Sequence, residues 1–215
     1  MGLDMYLYRA TKKNREDLKH LEEVEDDLNR MWEPIIKNEL PPDYYYLDGS
    51  VLNEHQLKLL GEMREEFERI EQQRRAIHDE MNGHTDSEEY NCGEIGYWRK
   101  FNALHNYIVD NFADGVDECQ EIPLTKENVV QILDDLNKTI EILSTLNKVE
   151  REGHYYKYEV PEEIELPLIP RSGCFFGSLA IDECYENYVK RAIDVFSMIV
   201  REWNDDDMVW YQASW

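Results

Sequence analysis

The run Gly96-Tyr97-Trp98-Arg99-Lys100-Phe101-Asn102-Ala103-Leu104-His105 gathers two cations, an amide, an imidazole and several aromatic rings into ten residues. These side chains suit capture better than turnover. A guanidinium and an ammonium neutralise a phosphate or carboxylate, an aromatic face stacks on a base, and an amide and an imidazole read polar edges. Positive charge is scarce elsewhere, with 23 Lys and Arg against 47 Asp and Glu and a formal net charge of -24. Its concentration here points to an anionic guest. The spacing Trp98, Phe101, His105, Ile108, Phe112 predicts a helix from Trp98, with Arg99, Asn102 and Asn106 on one face and the apolar residues beside them. That places His105 near an apolar seam, where a packed histidine is the plainer alternative to a ligand. Arg99 paired with Asp114 or Asp117 is the plainer alternative to Arg99 gripping an anion.

A second candidate is Gly173-Cys174-Phe175-Phe176-Gly177-Ser178, read as a Gly-flanked turn opening the last helix, whose amides could hold an anion with help from Arg171. No Gly-Lys-Ser follows it, so it is not a Walker sequence, and a tight turn packing two Phe rings explains it as well. The candidate ligand-binding set is therefore Tyr97, Trp98, Arg99, Lys100, Asn102 and His105, with Phe176, Ser178 and Trp215 as further pocket walls. No catalytic residue is assigned. Cys119, Cys174 and Ser178 lack an evident aligned base, G-x-S-x-G is missing, and carboxylate pairs are too common here to carry information. His84 with Asp86 and Glu88, or His105 meeting Cys119, lacks the clustered spacing of a zinc site, so neither a metal nor another cofactor is expected.

These residues need elements to position them. Leu3 to Tyr8 alternates well enough for a strand. Leu18, Leu21, Val24, Leu28, Met31 and Ile35 mark a long helix that Pro34 should bend or end. After a connector with Pro41, Pro42 and Gly49, Asn53 and Gln56 form a capping box for a second long helix. Its seam is Leu60, Met63, Phe67, Ile70, Arg74, Ile77 and Met81, and Asn82-Gly83 stops it. Thr125 caps a helix burying Val129, Ile132, Leu133, Leu136, Ile140, Leu143 and Leu146. His154 to Val160 reads as an aromatic strand. Ser178 caps a last helix carrying Tyr185, Tyr188, Ala192, Phe196, Ile199 and Trp203, and Met208 to Trp215 reads as a terminal strand. The fold class expected is α+β, predominantly helical. A core domain of residues 1–10 and 90–215 carries a small sheet made of the first, the aromatic and the last strands. Residues 11–89 form an acidic helical hairpin projecting from it.

Composition limits the partners. The negative charge repels phosphate backbones, so direct nucleic-acid binding is not expected, whereas a basic protein surface is a natural partner. No apolar run is long enough for a bilayer, and Met1 to Arg9 lacks the features of a secretory signal. Four widely spaced cysteines fit a reducing cytoplasm. Two chains could pair through the hairpin seam, although Arg74 within it specifies no oligomer.

Met1-Gly2-Leu3-Asp4-Met5-Tyr6-Leu7, Gly96-Tyr97-Trp98-Arg99-Lys100 with Asn102 and His105, Asp114-Gly115-Val116-Asp117-Glu118-Cys119, Phe175-Phe176-Gly177-Ser178 and Tyr211-Gln212-Ala213-Ser214-Trp215 share a pattern. Together they resemble a widespread group of small bacteriophage and prophage proteins with no established activity. The resemblance covers the first ten residues and most of the chain after Tyr90, and the hairpin departs from it. It implies a phage origin and a setting in the host cytoplasm, and no reaction. The function expected is a non-enzymatic binding protein that sequesters a small anionic ligand, such as a nucleotide-derived immune signal, to counter host defence. The alternative is an acidic protein that inhibits a host defence protein or a nucleic-acid-binding protein by direct docking or charge mimicry.

Overall fold

Alternating residues at the start of the chain build the centre of the body's sheet. In the computed structural model, which describes residues 2–42, 44, 51–82, 93–150, 155–173 and 176–215, strand β1 (Asp4–Thr11) buries Met5 and Leu7 completely. It pairs with β2 (Glu94–Arg99), setting Met5 opposite Trp98, Tyr6 opposite Tyr97 and Leu7 opposite Gly96. With β3 (Ile122–Leu124) and β6 (Asp207–Ser214) these strands form an antiparallel sheet in the order β2-β1-β6-β3. The pleat sends Met5, Leu7 and Trp98 to the core and Tyr6, Tyr8 and Tyr97 to the opposite face. There they make an aromatic ladder that Trp210 continues, with centroid spacings of 5.3, 6.0 and 5.3 Å.

Helices α3 (Asn102–Phe112), α4 (Lys126–Thr145) and α5 (Glu183–Arg201) cover the core. Thr125 and Asn128 make a reciprocal capping box at α4, and α4 packs along α5. Val129, Ile132 and Leu136 on α4 and Val189, Ala192, Phe196 and Ile199 on α5 are completely buried. A second sheet pairs β4 (Asn147–Glu150) with β5 (Tyr156–Glu159). Glu186 ties this sheet to α5. It accepts hydrogen bonds from the phenols of Tyr156 and Tyr158, the latter at 2.6 Å, and pairs with Lys190 at 2.7 Å and Lys148 at 3.4 Å.

Two long helices, α1 (Lys12–Glu39) and α2 (Glu54–Asn82), pack on each other as a hairpin. Thr11 caps α1 by accepting from the Asn14 amide at 3.1 Å. The box at α2 is reciprocal, Asn53 N–H donating to Gln56 Oε1 at 3.1 Å and Gln56 N–H to Asn53 Oδ1 at 2.9 Å. Arg74 sits in the seam and is satisfied there, bonded to Glu25 across the hairpin and to Glu71 one turn back. The chain separates into two compact units, Met1–Ala10 with Gly93–Trp215 and Thr11–Cys92. Together the described residues are α+β, with five helices, a four-stranded antiparallel sheet and a two-stranded one.

Several expectations are corrected. The run from Trp98 is not helical: Tyr97, Trp98 and Arg99 lie on β2, and Lys100, at φ 61°, turns the chain into α3. Pro34 does not end α1, which continues to Glu39. The lost bond is local, while Trp32 anchors that turn, 6 % exposed and donating from Nε1 to Glu66 at 2.8 Å. Trp32 takes the inner position expected of Met31, which is 46 % exposed. The aromatic segment joins the separate β4–β5 pair and not the main sheet. The last helix starts at Glu183, capped by Asp182, whose carboxylate accepts from the Tyr185 amide at 3.1 Å. Ser178 therefore lies before that helix, its hydroxyl accepting from the Ala180 amide. The stop residue Gly83, the His84-Asp86-Glu88 group and Cys174 with Phe175 lie outside the described residues.

Candidate functional site

The strand-to-helix turn at Lys100 decides where each candidate side chain goes. Trp98 precedes it on the core face of β2, so its ring is 1 % exposed and stacks on Phe196 at 6.1 Å. A Cβ at Gly96 would come within 2.7 Å of that ring, which is why the position carries none. Trp98 is thus core and offers no face for a base. Tyr97 points the other way and donates from its hydroxyl to Asp4 Oδ1 at 2.5 Å. That hydrogen bond, with some burial and the Asp4 charge, pushes its phenol up to about 12. Arg99, its side chain 58 % exposed, has Nε 3.6 Å from the same Asp4 oxygen. Asp4 therefore replaces the expected partners Asp114 and Asp117. Arg171 is likewise committed, to Asp110 at 2.5 Å.

Beyond the turn, Asn102 and His105 point inward from the first turn of α3, 2 % and 1 % exposed. Asn102 Nδ2 donates to the carbonyls of Phe176 and Ser178 at 3.2 and 3.1 Å. His105 has both ring nitrogens engaged, Nδ1 with the Tyr211 hydroxyl at 2.8 Å and Nε2 with Asp117 Oδ2 at 3.0 Å. Burial, with the charge of Asp117 nearby, raises the Tyr211 phenol well above its ordinary value, so it stays protonated. A neutral imidazole meets both contacts by accepting from that hydroxyl at Nδ1 and donating from Nε2 to Asp117. Phe176 lies edge-on to His105 at 5.3 Å, and Trp215 donates from Nε1 to Asp117 Oδ1 at 3.2 Å. Gln212 closes the group by donating to the Cys119 carbonyl at 3.1 Å.

The structure thus brings together Asn102, His105, Phe176, Ser178 and Trp215, and sets Trp98 apart in the core. Asp117 and Tyr211, not assigned from the sequence as site residues, hold the centre. The cluster acts as a clasp: Asn102 and His105 direct their polar atoms to other parts of the chain. Beside it, Lys100, Asn102, Gly177, Ser178, Asp182 and Tyr188 line a recess of about 180 Å3. Its lining includes one ammonium, from Lys100, and one carboxylate, from Asp182. Among the described residues no three metal-ligating side chains cluster, and no helix is long and apolar enough to cross a membrane.

A larger concavity lies within the hairpin, a groove of about 1230 Å3 between α1 and α2. Its floor is apolar, from Trp32, Ile36, Leu57, Leu60, Met63 and Phe67, and its rim holds Asp26, Arg30, Glu33, Lys37 and Arg64. Over the stretch from Glu16 to Glu33, α1 is strongly acidic. Between Glu16 and Glu33 stand Glu16, Asp17, Glu22, Glu23, Glu25, Asp26, Asp27 and Glu33 against only Lys19 and Arg30. Glu16, Glu22, Glu23, Asp26, Asp27 and Glu33 are exposed. Set against known proteins, the chain matches no family model, no curated protein and no solved structure.

Proposed function

We propose that this chain is a non-enzymatic binding protein of phage origin that acts in the host cytoplasm by docking on a basic surface of a host protein and occupying it. The observation that carries this reading is the acidic stretch of α1 from Glu16 to Glu33, where six exposed carboxylates stand against two exposed cations along about five turns of helix. A rigid helix keeps these charges at fixed spacing. A complementary basic partner, including one that ordinarily holds nucleic acid, would then be steered onto it. The resemblance to phage proteins supports a host target. Glu16, Glu23 and Asp27 recur at steps of seven and four and share one stripe of the helix.

Replacing Glu16, Glu23 and Asp27 together by Lys should weaken partner capture by about tenfold or more at low salt. The helices should stay intact, because the side chains are exposed. Affinity capture from host lysate at low and high salt, with circular dichroism as the folding control, measures this. Capture that is unchanged in the variant and insensitive to salt excludes the acidic face.

A second reading, capture of a small anionic ligand, is favoured by a recess whose lining includes Lys100, Asn102 and Ser178. A nucleotide-like species released by heating the wild-type protein, and missing from Arg99→Ala with Lys100→Ala, would support it by mass spectrometry. An empty protein recovered from infected cells would count against it.

A further inference from the structure

The hairpin has a packing deficit that its own two helices do not remove. Among its described residues no apolar side chain is less than 5 % exposed, the most buried being Ile70, Leu21 and Trp32. In the body, Met5, Ile132, Phe196 and others reach 0 %. Two helices bury one stripe each, and a dry interior needs a third layer. Leu57, on the groove floor, is 45 % exposed.

The charges on the groove's edge identify what completes it. Along α1 the rim reads Asp26, Arg30, Glu33, Lys37, acid and base alternating at steps of four, three and four, and all four side chains are exposed. Such a ladder repels a parallel copy, which would set each charge against itself. An antiparallel copy gives the opposite result. About a two-fold axis passing between Arg30 and Glu33, Asp26 falls opposite Lys37 and Arg30 opposite Glu33, so every pair is of opposite sign. The balance is local: elsewhere α1 is strongly acidic, and two such faces would drive copies of the chain apart.

We infer that this groove is the seat of a second copy of the chain, the two α1 helices running antiparallel about that axis and the two hairpins forming a four-helix bundle. The interface is isologous, each copy presenting the same apolar floor and the same ladder. Arg30 already touches Asp27, at 2.5 Å, but both side chains are 74 % exposed, and an exposed pair of that kind is exchanged at little cost. The apolar floor supplies the affinity, while the ladder fixes register and direction. Glu16 and Glu23 lie N-terminal to the ladder along α1, so the dimer displays them twice and does not depend on any host partner.

The test is the mass of the full-length protein in solution, by light scattering over a concentration series. Wild type should run at twice 25.7 kDa. Two variants separate the ladder from the fold. Arg30→Glu with Lys37→Glu makes every rung acidic, and Asp26→Lys with Glu33→Lys makes every rung basic. Each alone should associate at least about tenfold more weakly, with helix content unchanged because all four positions are exposed. Mixed in equal amounts, the two variants should form a heterodimer, because each rung then meets its opposite. A wild-type protein that stays at 25.7 kDa at every concentration overturns the inference. So do variants that dimerise as well as wild type, or a mixture that stays monomeric. Glu16→Lys with Glu23→Lys changes no rung and spares the Arg30–Asp27 pair, so loss of host capture and loss of dimer are read separately.

Discussion

Gly177→Ala should lower the melting temperature by roughly 5–15 °C, the consequence of about 2–5 kcal/mol of strain and overlap. Gly177 holds φ 103°, a conformation closed to side chains, and a Cβ there would sit 2.8 Å from the Lys100 carbonyl oxygen and 2.9 Å from Lys100 Cβ. Lys100 has little freedom to retreat: it is itself left-handed, and its amide donates to the Leu3 carbonyl at 2.7 Å. The clasp around Asn102 depends on this close approach, since Asn102 bonds the carbonyls of Phe176 and Ser178 on either side of the glycine. Gly115→Ala is the matched control, with φ 74° but nothing within 4 Å of the added carbon. It should cost about 1 kcal/mol from backbone strain alone. Thermal unfolding of the two variants side by side checks the comparison, and equal losses would contradict the close approach.

Glu186→Gln should destabilise the protein by about 2–4 kcal/mol at neutral pH, and the gap should close in acid. Burial alone would raise this carboxyl. Hydrogen bonds from Lys190, Tyr156 and Tyr158, with the Lys190 charge, outweigh burial and hold it at about 2, below the ordinary 4.5. A depressed carboxyl contributes stability that is fully present above its unfolded value and is lost as pH falls through the folded one. The contribution should therefore fade between about pH 4.5 and pH 2. The shift corresponds to about 3 kcal/mol at 1.36 kcal/mol per pH unit. The Gln variant has no such group, so the difference in unfolding free energy between the two proteins should shrink across that window and stay constant above pH 6. Chemical unfolding at a series of pH values measures it. The many other carboxylates titrate in both proteins and cancel in the difference. Lys148, lying 4.2 Å from the Tyr156 ring centroid and held charged by Tyr158, Tyr156 and Glu186, loses its anionic partner in the variant. Loosening should therefore begin at β4 and β5.

Elements written in local code were legible in the sequence. The Thr125 cap of α4, the Asn53–Gln56 box of α2 and the alternation of β1 rest on residues three or four apart, and each stands in the structure. The helix expected from Trp98 failed for a non-local reason. Residues 98, 101 and 105 keep a helical period, but the strand at Trp98 is set by its pairing with Met5, more than ninety residues earlier. The turn that separates the period into two elements rests on a left-handed Lys100, for which a lysine gives no signal. Serine and aspartate are equally good caps, so the sequence does not separate Ser178 from Asp182 as the cap of α5, and only the structure selects Asp182. Of the nine residues the sequence singled out, Asn102, His105, Phe176, Ser178 and Trp215 meet in space, whereas Trp98 lies in the core and Tyr97 and Arg99 turn to Asp4. The sequence did not reveal that the five meet to close on one another. A buried histidine whose partners are Asp117 and Tyr211, one on a loop and one on the last strand, reads in sequence like a histidine awaiting a ligand. The rim of the hairpin groove is not legible in the sequence, because the alternation of Asp26, Arg30, Glu33 and Lys37 is embedded in a helix whose other charges are mostly acidic.

Hydrogen exchange of the protein alone and in complex with the captured host protein tests docking through the hairpin most directly. Slowed exchange along α1 between Glu16 and Asp27, with α3 and β6 unchanged, is the result that docking requires. Protection at the amides of Lys100 to His105 and around Ser178, with none on α1, would contradict it and place the binding surface on the body.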